Sequence, residues 1–437
     1  MDLINGDIRA IYRKYLISSL TGAVVLSVYS FVDTIAVGQS EGAAGAASMA
    51  VINPLFGIIV FFAILCAVGG SVLFSNRMGQ GKTEEARGYF TAAVLLMTAV
   101  TAVLWSVFLL FPRPILTLFG ADHSIYDKMM EYAWRIILAM PLFIAPIFLA
   151  SFLRNDGAPH LAMTAVIVGG CVNMLGDWLL VFPLGMGMRG AALATVAGTT
   201  VQLLVMLRHF ARKGCGLRFV RPKRIWAAFG EILQVGFGAG VLDLGTVVLS
   251  VIMNNQILRY GNTDCLAVYG VAATILALLQ ALFCGVGQAI QPIVSVNFGA
   301  NRPARVARTW RMALVTVLIL GVLFTAVGLL FPREITALFV DATEEILLAA
   351  PGIIRPFFLV YLFMGITVLA TYHLQSTMQS GRSMLVALLR SVIVSGILLL
   401  VLPLFLDLLG VWLALPLAEL LVAVPALRFV RRSKPLH

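Results

Sequence analysis

The chain has 437 residues, of which 60% are hydrophobic and 12% charged, and its mean hydropathy is +0.98. A soluble domain is about half apolar and about a quarter charged, so a water-soluble enzyme is excluded, and so is a disordered chain, which needs low hydrophobicity. The formal net charge of +11 does not reinstate nucleic-acid binding, because there is too little polar surface to keep the rest of the chain in water.

A spanning helix takes about 20 residues, and twelve apolar stretches follow one another along the chain. They fall near 15–38, 46–75, 89–111, 130–153, 160–183, 189–207, 232–259, 266–296, 310–331, 347–374, 384–406 and 409–428. Lipid offers no partners to unpaired backbone groups, and nothing alternates with the dyad period of a barrel, so the stretches are read as helices. The first one follows Arg13-Lys14, is too long for a signal-peptide core and runs on into the body of the protein. Five scattered cysteines without CxxC or Cys/His spacing predict neither a disulfide framework nor a metal site.

Positive charge sets orientation. With the N-terminus inside, 24 of the 31 Lys and Arg fall in the N-terminus, the even-to-odd loops and the C-terminal tail. The densest run, from Arg208 to Arg224 between stretches six and seven, reads as a cytoplasmic linker beside anionic headgroups. The expected layout is an N-terminal six-helix lobe over 1–207, a basic linker over 208–231, and a C-terminal six-helix lobe with its basic tail over 232–437. Both termini are then cytoplasmic, in a multi-pass protein of the cell (inner) membrane, expected as a monomer.

The chain also repeats itself. Leu109-Leu110-Phe111-Pro112-Arg113 recurs as Leu329-Leu330-Phe331-Pro332-Arg333, an offset of 220. Arg135 and Arg355, Pro183 and Pro403, and Gly190 and Gly410 keep the same spacing. Six helices lie between equivalent points, so the copies share one orientation, as in parallel-repeat transporters. The fold class is therefore all-α: a polytopic membrane protein of 12 transmembrane helices in two pseudo-symmetric six-helix lobes.

Four acids lie well inside the stretches: Asp33, Asp177, Asp243 and Glu419. Each costs about 2.5–3.5 kcal/mol to insert on translocon scales, so each needs a reason. Asn173 and Asp177 are four apart and share a helix face, yet their counterparts at the 220 offset are Ile393 and Ile397. Asp33 matches Gln256 by the local correspondence of Gly38 with Gly261. These carboxylates belong to the first lobe alone, which favours function over scaffolding. Two aspartates, an amide and a hydroxyl suit a hard cation, and equally a proton shared between close carboxyls. Asp243, with Asn255, Gln256 and Gln288, is a candidate substrate or second-lobe site, or else a helix-end carboxylate. Glu419 either snorkels, pairs with an arginine or takes part in function.

Ser30 to Gly38 (SFVDTIAVG), Gln288 to Ala300 (QAIQPIVSVNFGA), and Asn173 to Asp177 (NMLGD) followed by Gly190 to Thr195 (GAALAT) resemble motifs of the multidrug and toxic compound extrusion (MATE) family. The resemblance covers essentially the whole chain. It implies no enzyme and no cofactor, but an antiporter that exports amphipathic, often cationic drugs by alternating access, driven by Na+ or H+. It implies an ion site at Asp33, Asn173, Asp177 and Thr195, with Na+ as one occupant. The alternative is a lipid-linked oligosaccharide flippase of the same superfamily, although the stretches hold few basic residues for a pyrophosphate. The sequence departs from the family in having no proline between Tyr15 and Gly38, where many members bend, and in reading Gly236-Phe237-Gly238 where the family has Gly-x-Pro.

Overall fold

The computed structural model describes residues 2–119, 126–339 and 344–432, with side chains at 30, 31, 34, 42–44, 46, 47, 50, 128, 241–244, 246–248, 263, 264, 267 and 339 left out. In chain order the helices are α1 (Ile8–Gly79), α2 (Thr83–Leu110), α3 (Pro112–Leu118), α4 (Tyr126–Leu138), α5 (Met140–Asn155), α6 (Pro159–Val181), α7 (Gly187–Leu207) and α8 (Ile225–Tyr260). They continue as α9 (Thr263–Gly299), α10 (Pro303–Leu330), α11 (Pro332–Phe339), α12 (Glu344–Phe358), α13 (Tyr361–Ser376), α14 (Ser380–Leu388), α15 (Val394–Val401) and α16 (Pro403–Arg431). A 3₁₀ turn at Arg208–Ala211 follows α7, and a π turn at Leu389–Ile393 joins α14 to α15. No strand occurs among the described residues.

Nine helices among the described residues are long and apolar enough to cross a bilayer, ten if the bent pair Met129–Leu138 and Met140–Asn155 is one span. The two other expected stretches, 15–38 and 232–259, are helical as parts of α1 and α8. Helical bonding through α1 does not stop between the first two stretches. Residues 39–47 are dominated by alanine and small side chains with no proline, and alanine is the best helix former.

Two compact units divide the chain, Met1–Gly236 and Phe237–His437. The basic linker and the start of α8 therefore pack with the first. In that unit α1 begins with Asp7 accepting from the Arg9 and Ala10 amides, which supplies donors the first turn leaves unpaired. Buried polar pairs tie its second half to α5: the Ser71 and Ser151 hydroxyls lie 2.9 Å apart, and the Ser75 hydroxyl donates to Asn155 Oδ1 at 2.6 Å. One turn apart on both helices, they fix the register of the contact. A Cβ on Gly69 would lie 2.0 Å from the Ile232 carbonyl oxygen, and one on Gly236 1.9 Å from that of Leu65. Only glycine permits this crossing of α1 and α8.

The fourth stretch is bent by 57° between α4 and α5. Pro141, in the first turn of α5, has no amide to continue the ladder. Arg135 consequently sits in the last turn of α4, and Arg355 sits in the last turn of α12, not at the start of long helices as their places in stretches four and ten suggest.

The repeat is visible in the element boundaries. Helices α2 and α10 each have 28 residues and begin 220 apart; α5 and α13 each have 16 and begin 221 apart. The tight turn after α5 has Gly157 at φ 77°, and its counterpart after α13 has Met378 at φ 59°. The one-residue shift moves the counterpart of Asp177 from Ile397 to Leu398, still apolar. Between the last two stretches, Asp407 (φ 48°, ψ −134°) interrupts α16.

Candidate functional site

The packing of α6 on α7 builds the floor of the site in the first unit. A Cβ on Gly169 would meet the Gly198 carbonyl oxygen at 2.7 Å, and one on Gly176 would meet Ala194 Cβ at 2.8 Å. Small residues let the backbones approach closely, and this carries Asn173 to Thr195. The Asn173 amide donates to Thr195 Oγ1 at 3.3 Å. The Thr195 hydroxyl lies 2.9 Å from the Ala191 carbonyl oxygen and 3.5 Å from Asp33 Oδ1. It has a single proton, and the shorter, intrahelical contact takes it, so Oδ1 is weakly satisfied. Asp33 Oδ2 accepts from the Tyr132 hydroxyl at 3.2 Å.

Asp33 from α1, Tyr132 from α4, Asn173 and Asp177 from α6 and Thr195 from α7 thus converge. Asp33 is 7% exposed, Asn173 2% and Asp177 1%, and Asp177 is close enough to feel the charge of Asp33. Neither carboxylate oxygen of Asp177 has a hydrogen-bond partner among the described residues, nor does Asn173 Oδ1. Buried polar atoms are nearly always paired, so three unpartnered oxygens beside a second carboxylate call for a positive partner. An all-oxygen donor set fits an alkali cation and accepts a proton equally well.

Tyr132 is the member of this group that the sequence does not point to. It is fully buried within the apolar core of the unit, and an isolated tyrosine at an apolar helix face carries no signal that its hydroxyl faces a carboxylate.

The second-unit candidates do not gather in the same way. Asn255 is exposed and donates to its own helix at Val251 O, 2.8 Å away. Gln256 is 7% exposed with Oε1 unpartnered, and Gln288 is half-buried. No hydrogen bond among the described residues joins the three. The side chain of Asp243 lies outside the described residues.

Glu419 is paired. Arg390, in the π turn, donates from Nε and Nη2 to Glu419 Oε1 at 2.9 and 2.5 Å, and Thr367 donates to Oε2 at 2.5 Å. Arginine and glutamate are 6% and 4% exposed. The extra residue of a π turn re-aims a side chain, and here it turns Arg390 onto α16. In the Gln288–Ala300 motif, Asn297 Oδ1 accepts from Arg305 Nε at 2.9 Å, which fastens the turn between α9 and α10.

A further polar group holds the linker. His209 Nε2 is 2.7 Å from Asp156 Oδ2, which also accepts from the Gly216 amide at 2.9 Å. With Cys215 their ligand-type atoms lie within 4.8 Å of one another, a cluster that cysteine spacing does not signal. Burial pushes the Cys215 thiol above its ordinary pKa, so it stays a thiol against the Leu217 carbonyl, 3.6 Å away.

An all-helical membrane protein with a duplicated chain and a buried, under-satisfied acid pair in one copy is the class defined by this fold and site. A family model described as MatE matches residues 19–179 and 241–423. The chain belongs to this family, which comprises membrane transporters and not enzymes. The multidrug export protein MepA of Staphylococcus saprophyticus is 22% identical over 422 residues, 95% of this chain and 92% of the relative. A solved outward-facing conformation of a multidrug resistance MATE family transporter of the MOP superfamily superposes with a TM-score of 0.91 at 19% identity, over 98% and 96% of the two chains. The structure of the MATE multidrug transporter DinF-BH in complex with R6G gives a TM-score of 0.89 at 26% identity, over 100% and 99%.

Proposed function

We propose that the protein exports amphipathic, often cationic drugs across the cell (inner) membrane, with both termini cytoplasmic, by exchange for an inward-moving Na+ or H+. The observation that carries this reading is the Asp177 carboxylate of the first unit, buried beside Asp33 with no hydrogen-bond partner among the described residues. Similarity to a multidrug export protein and to drug-transporting MATE structures supports the substrate class.

The chain's own residues divide the work. Asp33 and Asp177 take the incoming charge, Asn173 Oδ1 and Thr195 Oγ1 add neutral oxygens, and Tyr132 holds Asp33 in place. An ion shifts a conformational equilibrium only through different affinities for its states. Neutralising the two acids is proposed to favour the state that releases drug outside. Oligosaccharide-flippase activity is less well supported, because the arginine deep in the second unit is already committed to Glu419.

The test is uptake of a fluorescent organic cation into proteoliposomes under separately imposed Na+ and H+ gradients. Transport driven by one of them supports exchange and identifies the ion. Transport indifferent to both rejects it.

A further inference from the structure

The two units differ at one equivalent corner. In the first, Phe90 on α2 packs against Phe152 at 5.2 Å, Phe210 at 6.2 Å and Phe219 at 5.3 Å between ring centroids. Phe219 belongs to the linker, which is fastened there by the Val220 amide donating to Thr91 Oγ1 at 3.0 Å. The chain thus covers this corner with its own aromatic side chain. In the second unit, the equivalents of Phe90, Phe152 and Phe210 are Trp310, His373 and Val430. The Trp310 and His373 rings still meet edge to face at 4.9 Å, but together with Val430 they line a cavity of about 290 Å³.

The walls of that cavity are apolar at Phe298, Val306 and Trp310, and Arg302 and Arg431 stand at its exposed edge. No acid lines it, and neither arginine has an ion-pair partner among the described residues. His373 is 2% exposed, and its Nδ1 has no hydrogen-bond partner there. Among the described residues, two cations and the Nδ1 of a buried imidazole are unmatched around an apolar hollow. Positive-inside sorting puts this end of the helices at the cytoplasmic headgroup level, where basic pockets between helices bind anionic lipid heads.

We propose that this cavity is a binding site for an anionic phospholipid of the inner leaflet. Its phosphate lies between Arg302 and Arg431, and the upper part of an acyl chain lies against Trp310, Phe298 and Val306. The lipid does for the second unit what Phe219 does for the first.

The experiment is native mass spectrometry of the full chain in a neutral detergent, titrated separately with phosphatidylglycerol, phosphatidylcholine of the same acyl chains, and inorganic phosphate. Phosphatidylglycerol should be retained at least tenfold better than phosphatidylcholine, and phosphate at equal concentration should not displace it. Arg302→Gln with Arg431→Gln, both exposed and so harmless to folding, should weaken retention by about twenty-fivefold, the product of roughly fivefold per lost arginine. Arg212→Gln with Arg218→Gln, in the linker, should leave it unchanged. The proposal is overturned if phosphatidylcholine binds equally, if the Arg302/Arg431 variant binds like the wild type, or if phosphate alone competes with the same arginine dependence.

Discussion

Arg390 and Glu419 form a buried ion pair within the second unit, while in the first unit Asp177 is equally buried and has no hydrogen-bond partner among the described residues. The duplicated halves therefore treat an intramembrane carboxylate in opposite ways. One has a permanent cation supplied by the chain, and in the proposed exchange the other takes a mobile one. Removing one member of a buried pair leaves an uncompensated charge and costs about 3–5 kcal/mol. Glu419→Gln and Arg390→Met should each lower the melting temperature in detergent steeply. Arg390→Met combined with Glu419→Leu should recover most of the loss and still export drug. If the double variant is stable but inactive, the pair is part of the coupling machinery and not scaffolding.

Tyr132→Phe isolates the hydroxyl that steadies Asp33. A hydrogen bond to a charged group contributes about 1.5–3 kcal/mol, and in the proposed exchange it competes with an incoming cation for the same carboxylate. Without it the site should hold the coupling ion about tenfold more tightly and release it more slowly, with little change in folding. Ion titration of drug binding to the purified variant checks this. An unchanged ion affinity would remove Tyr132 from the site.

The linker should come loose when its latch is cut. Asp156→Ala strands the His209 imidazole and the Gly216 amide, at about 1–3 kcal/mol for buried groups left unmade. Trypsin should then cleave at Arg212, Lys213 and Arg218 faster than in the wild type, as followed by gel. Equal cleavage rates would show that packing by Phe219 and Val220 holds the linker unaided.

Gly69→Ala and Gly236→Ala each push a methyl group into the opposing backbone carbonyl. Overpacking of this kind costs about 1–3 kcal/mol, and backbone cannot rotate aside as a side chain would. Both variants should lose yield and melting temperature. Normal behaviour of either would mean that α1 and α8 can part at no cost.

Much of the fold was legible in the sequence: composition gave the membrane and the offset of 220 gave the duplication. The cost of an acid in lipid singled out four carboxylates, Asp33, Asp177, Asp243 and Glu419; the fold brings the first two together, pairs Glu419 with Arg390, and leaves the Asp243 side chain outside the described residues. What escaped was set by three-dimensional direction. Tyr132 looks like an ordinary aromatic of a core face, and its role depends on the bend that Pro141 places between α4 and α5. An arginine partner for Glu419 was one of the expected outcomes, but that it is Arg390 shows only once a π turn rotates that side chain onto α16. Asp156, His209 and Cys215 are separated by up to 59 positions, and only the fold of the linker back over α5 and α7 unites them. The corner at Phe90 covered by Phe219, and the corner at Trp310 that no described segment covers, likewise follow from where a neighbouring segment runs, which local pattern does not encode.

The account is tested most directly by gradient-driven uptake of a fluorescent cation into proteoliposomes holding the wild type, Asp33→Asn or Asp177→Asn, with folding checked by melting. It predicts uptake that follows the imposed Na+ or H+ gradient in the wild type and vanishes in both well-folded variants. Uptake by either variant at the wild-type rate, under the same gradient, would contradict it.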